Sequence, residues 1–330
     1  MAILVTGAAG FIGSAVSQAL LARGDEVIGV DDLNPYYSPQ LKRDRLDAVV
    51  AAPGGDRFRF EKVDIADHQA LDRAADSAAV DRIVHLAAQA GVRHSIDNPR
   101  AYVRSNLVGH LNVLELGRRL AVPHIVYASS SSVYGGGRVL PFAVGANVDH
   151  PVSLYAATKR ADELMSQTYA HLYRLPLTGL RFFTVYGPWG RPDMAVWLFT
   201  QAILEGRPIR IFNDGDMRRD FTYVDDVVAG VLAALDRPPR SDDEAAGAAP
   251  HRIYNLGNSR SEQLLRLVEL IERACGRPAR KEFAPMQPGD VQDTFADIEA
   301  TTRDLGWRPT TTLEDGVARF VPWYRARHGV

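Results

Sequence analysis

Three glycines near the start of the chain, Gly7, Gly10 and Gly13 in TGAAGFIG, restrict more than any other stretch what this sequence can fold into. They follow a short apolar run, residues 2–6 (AILVT), the expected form of a strand buried on both faces. They open an apolar-periodic stretch, residues 11–22, that reads as a helix. Glycines so placed permit a tight turn, close approach of a pyrophosphate to the backbone and close helix–strand packing, with phosphates at the helix N-terminus. A second apolar strand, residues 26–30, ends in Asp31, where an acid hydrogen-bonds the adenosine ribose of a dinucleotide. A glycine-rich turn without a ligand is the plain alternative, and strand, glycines, helix, strand and acid in this order argue against it. Asp31 repels a 2′-phosphate and no arginine closely follows it, so NAD is expected over NADP.

Strands and helices go on alternating. A loop, DDLNPYYSPQ, leads into a polar helix near 39–51, and a strand over 57–63 ends at Asp64-Ile65, a pair able to frame an adenine. A helix near 67–78 precedes the strand RIVHLA at 82–87, where Ala87 and Ala88 leave room for a cofactor beside the backbone. His85, inside that apolar run, reads as a core histidine. Pro99 opens a long helix to about 120, as Pro does at a first turn; its Asn106 either holds backbone or water near the serines or is structural. A strand over 124–128 then delivers Ser129 to Ser132, and PLTGLRFF at 176–183 is one more strand. This alternation implies an α/β fold, a doubly wound parallel sheet with helices on both faces. Beyond 183 the chain changes character. Helices are expected near 193–205, 225–236, 261–274, 298–305 and 313–325, with short strands at 209–212 and 253–256. A charged turn, NDGDMRRDFTYVDD, and a polar loop, 237–250, separate them. The dinucleotide domain is accordingly placed at 1–183 plus about 225–257. A smaller C-terminal α/β substrate lobe takes 184–224 and 258–330.

Tyr155 and Lys159 bring chemistry to this frame. On a helix over 151–174 they lie one turn apart on one face. A phenol beside an ammonium has its ionised form favoured, and a serine hydroxyl upstream can bind the oxygen that the phenolate deprotonates. That device removes a proton from an alcohol, and the cofactor supplies the acceptor for the hydride. YxxxK alone is common and usually marks a half-buried Tyr beside a surface Lys; the preceding cofactor fingerprint gives it weight.

Composition narrows the classes. A net charge of −2 gives no reason to expect nucleic acid or an anionic membrane as partner. One cysteine, Cys275, excludes an internal disulfide and a cysteine-rich metal site, which suits the cytoplasm; it reads as a half-buried helix residue. No metal is expected. The first strand begins at residue 2, so no signal peptide is expected.

TGAAGFIG, Asp31, HLAA at 85–88, YASSSSVYG, YAATK and RDFTYVDD together resemble the extended short-chain dehydrogenase/reductase family and its sugar-nucleotide epimerases. DLNPYY, AAQAGVRHS, HPVSLYAATK and RFFTVYGPWGRPDM are similar to UDP-glucuronate 4-epimerases in particular. The resemblance covers essentially the whole chain. It implies a Rossmann domain holding NAD tightly, a lobe binding a UDP-sugar, and a homodimer through helices near 99–120 and 151–174. It implies cofactor contacts from Phe11, Ile12, Asn34, Lys42 and Leu86, beside Gly7, Gly10, Gly13, Asp31, Asp64, Ile65, Ala87 and Ala88. Ser130, four positions before Tyr134, matches the catalytic serine or threonine, and Tyr155 and Lys159 match the tyrosine and lysine. On the substrate side it implies Gln89, Ser130, Ser131, Ser132 and Thr184, the last in place of an asparagine of galactose epimerases. Arg219 is expected on the UDP phosphates and Asp290, in PGD, on the uridine ribose. Gln287 stands where galactose epimerases have a second phosphate-binding arginine, which puts that contact in doubt. Arg191 is the partner of a sugar carboxylate, a phosphate contact or a surface salt bridge.

The expected reaction is inversion at C4 of the sugar through a 4-keto intermediate, with no net redox change. Another UDP-sugar 4-epimerase, of the UDP-glucose/galactose type, remains an alternative. A 4,6-dehydratase usually has Asp-Glu, and a UDP-glucuronate decarboxylase Glu, just before VYG; this chain has Ser131 and Ser132. Proteins of this fold that only sense NAD(P) typically lose the Tyr or Lys, and both are present.

Overall fold

The computed structural model describes residues 1–330 apart from 77–78, 138, 241–247 and 288–289. Half of the loop expected at 237–250, and Pro288-Gly289 of PGD, therefore lie outside the described residues.

Seven parallel strands form one sheet. Their order across it is His251–Leu256, Leu177–Phe182, Ile125–Ser130, Arg82–His85, Ala2–Thr6, Glu26–Asp31, Phe58–Lys62. Its strands are apolar because both faces are covered. Ile3, Val5, Val84 and Val126 pack into one core layer, while Leu4, Ile83, Ile125 and Tyr127 pack into the other. The strand that was expected near 253–256 does join this sheet, along its whole length beside Leu177–Phe182. From Ala2–Thr6 the chain first builds outward to Phe58–Lys62, then returns to the other side at Arg82–His85. Thr6 pairs in register with both Val30 and His85. At such a reversal the crossovers leave a crevice at the C-terminal ends of the strands.

Two helices flank that crevice. One runs from Pro99 to Arg119, but its stretch Val103–Val108 is π-helical. That wider turn holds Asn106, buried and bonded to both backbone groups of Gln89 and to the Thr158 hydroxyl, and not to the serines. The other, Leu154–Tyr173, begins after Pro151, later than the expected 151. Ser153 caps it: its Oγ accepts from the Ala156 amide at 3.1 Å, which fixes the start.

Beyond residue 183 the chain adds, among other elements, helices Ala195–Leu204, Leu264–Cys275 and Leu313–His328 and several short strand pairs. Ile209–Phe212 pairs in parallel with Lys281–Ala284. The charged stretch expected to be a turn holds two strands: Arg218–Arg219 pairs with Glu262–Gln263, and Phe221–Tyr223 with Thr184–Tyr186. Pieces of two to four residues are too short to show a period. Cys275 is fully buried, not half-buried, and burial pushes its thiol up to about 11. Arg45, with no exposed surface, ties the turn at Ala9 to the loop at Trp189 and Gly190. Its guanidinium donates to the carbonyls of Ala9, Trp189 and Gly190 and to the Tyr37 hydroxyl.

Candidate active site

The glycine turn is closed to side chains. Gly7 has φ +73°, and a Cβ there would sit 2.7 Å from the Ala87 amide nitrogen. A Cβ on Gly13 would fall 2.0 Å from the Gly7 carbonyl oxygen. The helix Phe11–Ala22 that follows has no side-chain cap, so its first amides are left for an anion. A bare turn leading to an uncapped helix end fits the diphosphate of NAD. On the next strand Asp31 is 7% exposed; its Oδ1 accepts from the Leu33 amide at 2.8 Å and lies 3.4 Å from Lys42 Nζ. Burial raises this carboxyl above its ordinary range, with Lys42 pulling against it. Gly7, Gly10, Phe11, Ile12, Gly13, Asp31, Asn34, Lys42, Asp64, Ile65, Leu86, Ala87 and Ala88 all line one cleft. Ser130, Tyr155 and Lys159 line the same cleft.

Ser130 ends its strand, and its Oγ accepts from the Ser132 amide and donates to the Ser132 hydroxyl. Tyr155 sits in the first turn of its helix, with the Tyr102 ring set edge-on at 6.1 Å between centroids. Lys159 Nζ donates to the Ala128 carbonyl and to Asp162 Oδ2, each at 3.0 Å. The next residue, Glu163, accepts from the Ser129 hydroxyl at 2.7 Å and forms a two-pronged pair with Arg181. That pair outweighs burial and holds the Glu163 carboxyl below its ordinary value. The serine strand and the Tyr155 helix are thus locked together by Lys159 on Ala128 and by Glu163 on Ser129; reading the sequence for YxxxK passed over Glu163 and over Asp162, the second partner of Lys159. Their signal was present: three and four residues past Lys159 is the spacing that shares a helix face. His85 is buried with Nδ1 bonded to Thr6 Oγ1, and burial holds it well below its ordinary value, as suits a core histidine.

The expected substrate residues are less collected. Gln89, Ser130 and Arg191 line the cleft, whereas Ser131, Ser132 and Thr184 are not among its lining residues. Ser131–Tyr134 is a single 3₁₀ turn, and Thr184 starts a short strand. Arg191 is already engaged: its Nε and Nη2 donate to Asp193, which also accepts from the Tyr36 hydroxyl at 2.9 Å. Burial pulls its guanidinium down, but Asp193 outweighs burial and holds it above its ordinary value. Arg219 donates to the carbonyls of Arg218, Val291 and Gln292, and burial lowers its pKa. Asp290 meets Arg93 at 2.6 Å, and Arg93 stands over the Phe212 ring at 4.6 Å. Gln287 reaches no more than the Pro285 carbonyl. Arg93 lies inside the string AAQAGVRHS, yet nothing in sequence spacing brings it to Asp290. Among the described residues no group of His, Cys, Asp and Glu is fit to hold a metal, and no helix is long and apolar enough to cross a membrane.

Residues 3–257 match the model of the NAD dependent epimerase/dehydratase family. A probable UDP-glucuronate 4-epimerase of Rhizobium meliloti is 46% identical, over 98% of this chain and 97% of that protein. UDP-glucuronate 4-epimerase 1 of Arabidopsis thaliana is also 46% identical, over 100% of this chain and 78% of its own. Among solved structures, a UDP-glucuronic acid 4-epimerase from Bacillus cereus, in complex with UDP-glucuronic acid and NAD, superposes with a TM-score of 0.90. It is 32% identical and covers 99% of this chain and 100% of its own. A closed glycine turn, an acid on the next strand and a tyrosine–lysine pair in one cleft are what such proteins need, and the chain belongs to the NAD dependent epimerase/dehydratase family.

Proposed function

We propose that the protein is a UDP-glucuronate 4-epimerase, interconverting UDP-glucuronate and UDP-galacturonate. The observation that carries the reading is the lining of the cleft, Ser130, Tyr155 and Lys159 together with a cation, Arg191; in sequence, serines and not acids follow Ser130 at 131 and 132. An acid at those two positions would serve dehydration or decarboxylation.

Tyr155, as phenolate, takes the proton from the sugar 4-hydroxyl while Ser130 hydrogen-bonds that oxygen. NAD, held by the glycine turn, Asp31 and Lys159, supplies the hydride acceptor and donor at C4. Arg219 and Asp290 anchor UDP, with Arg93 beside them as the cation that Gln287 does not provide. The 4-keto sugar turns over while UDP stays anchored, so that C4 presents its opposite face to the bound cofactor, and Tyr155 returns the proton to the C4 oxygen. Residues 1–183 with about 225–257 hold the cofactor, and 184–224 with 258–330 hold the UDP-sugar. Val103, Val108, Leu111, Leu164 and Leu172 are exposed on the two flanking helices, which supports a homodimer through them. Residence in the cytoplasm accords with the lone thiol.

Purified protein incubated with UDP-glucuronate, without added NAD, should form UDP-galacturonate by NMR with no steady absorbance of NADH. A strict requirement for a second redox substrate, or a pentose as the main product, overturns the proposal.

A further inference from the structure

Lys159 has its donors apportioned by the protein. Its side chain is 3% exposed, and an ammonium has three N–H groups to place. One goes to the Ala128 carbonyl and one to Asp162, each at 3.0 Å. The third is left for the cleft, which Lys159, Ala128 and Tyr155 line together. Asp162 is itself fully buried, does not line the cleft, and its Oδ1 has no hydrogen-bond partner among the described residues. Burying a carboxylate with one oxygen unsatisfied is costly, so the pair is a poor device for stability. It is a good device for aiming an ammonium and for cancelling its charge.

Every other charged or titratable group facing the pair is balanced or neutral. Glu163 on the same helix is matched by Arg181 and Arg160. From the strand Arg82–His85 and the helix Gly109–Arg119, His85 and His110 face Lys159. Burial keeps both imidazoles neutral, His110 down at about 3. From the strand Ile125–Ser130, the Tyr127 phenol is pushed far up by burial. Across the cleft, Arg191 is paired with Asp193 near Tyr155.

We propose that Asp162 is a positioning residue for the reaction. It aims the Lys159 ammonium at the cleft and offsets its charge, so that a lysine–aspartate pair, not a bare lysine, sets the pH range of proton removal. An uncompensated ammonium favours a neighbouring phenolate more than a neutralised pair does. Burial, opposed by Lys159, pushes the Asp162 carboxyl up to about 6. The pair is therefore neutral above that pH and cationic below it.

Two variants separate aim from charge. Asp162→Asn keeps the shape and removes the charge; Asp162→Ala removes both. kcat is measured from pH 5 to 9 with whichever UDP-sugar the wild type turns over, and bound NAD and Tm are recorded on the same samples. In Asp162→Asn the acid limb of kcat should move to lower pH by about one unit, with the wild-type and variant curves converging below about pH 6. Asp162→Ala should show the same displaced limb and a further loss of about tenfold in kcat from the unaimed ammonium. A merely structural aspartate would lower Tm and active fraction without moving the limb. An Asp162→Asn limb that coincides with the wild type overturns the proposal, and that variant decides the matter even if Asp162→Ala does not fold. The inference rests on Tyr155 and Lys159 acting in the reaction and not on which sugar is used. A wrong substrate shows as a wild type inert toward UDP-glucuronate, a wrong inference as an active enzyme with an unmoved limb.

Discussion

The crevice at the strand reversal and the loops that face it from the C-terminal lobe are built of different material. The crevice is backbone, small residues and strand ends, and the backbone packs so closely at Gly7 and Gly13 that no side chain fits there. The facing loops carry long charged side chains, and those have found partners: Arg191 with Asp193, Asp290 with Arg93 from the loop after the strand Arg82–His85, Arg219 with three carbonyls. The first surface is shaped before any ligand arrives. If the proposed function holds, the second exchanges internal partners for external ones when a UDP-sugar binds, and specificity between sugars would be decided there, since each exchange is a difference of two interactions.

Variants can break this contrast or sharpen it. The largest effect is expected from Tyr155→Phe, which removes one oxygen from the preformed side. Turnover should fall by about 10²–10⁴-fold, with bound NAD and UDP-sugar affinity retained. Retention of more than half the activity would place proton removal elsewhere. Next is Arg219→Met on the exchanging side. Charge-assisted hydrogen bonds contribute about 1.5–3 kcal/mol each, so KM for the UDP-sugar should rise about 10–100-fold while bound NAD is unchanged. Loss of NAD in this variant would mean that the two regions are not independent. Arg191→Ala should give a smaller, selective effect, with about tenfold weaker binding of UDP-glucuronate relative to UDP-glucose, or a leak of decarboxylated 4-keto pentose. Asp193→Asn should act in the opposite sense by freeing Arg191 for the sugar carboxylate. If Arg191→Ala weakens both sugars equally and no pentose forms, the residue is a clamp on UDP. The smallest effect is expected from Asp31→Ala, a several-fold weaker retention of NAD, read from the absorbance ratio of the purified protein. Asp31 is already unfavourably buried, and Lys42 offsets only part of that.

The same contrast explains what could be read from the chain. The parallel sheet and the cofactor cleft follow from local patterns: apolar runs, glycines at fixed offsets, an acid at a strand end. Each is written within some thirty residues of sequence and constrained by backbone geometry, so it survives without knowledge of distant partners. The strand pairs of the second lobe were not legible, because Arg218–Arg219 and Phe221–Tyr223 carry no periodic signal at two and three residues. Nor was the meeting of Arg93 with Asp290, residues almost two hundred positions apart that only the closed fold makes neighbours. Asp162 and Glu163 fall between: their spacing from Lys159 was visible, but their burial, which gives them consequence, was not.

Arg45 bears on time and not on shape. Its guanidinium is bonded to the glycine turn at Ala9 and to the opposing loop at Trp189 and Gly190, with no water-exposed surface. Lifting that loop off the turn would strip these bonds while the cation is still enclosed, so if a dinucleotide leaves only when that loop lifts, its release is slow. A catalyst that regenerates its own oxidant within each cycle gains from such slowness. The cofactor's residence can then outlast very many turnovers, and the enzyme's rate becomes indifferent to the cell's nicotinamide supply.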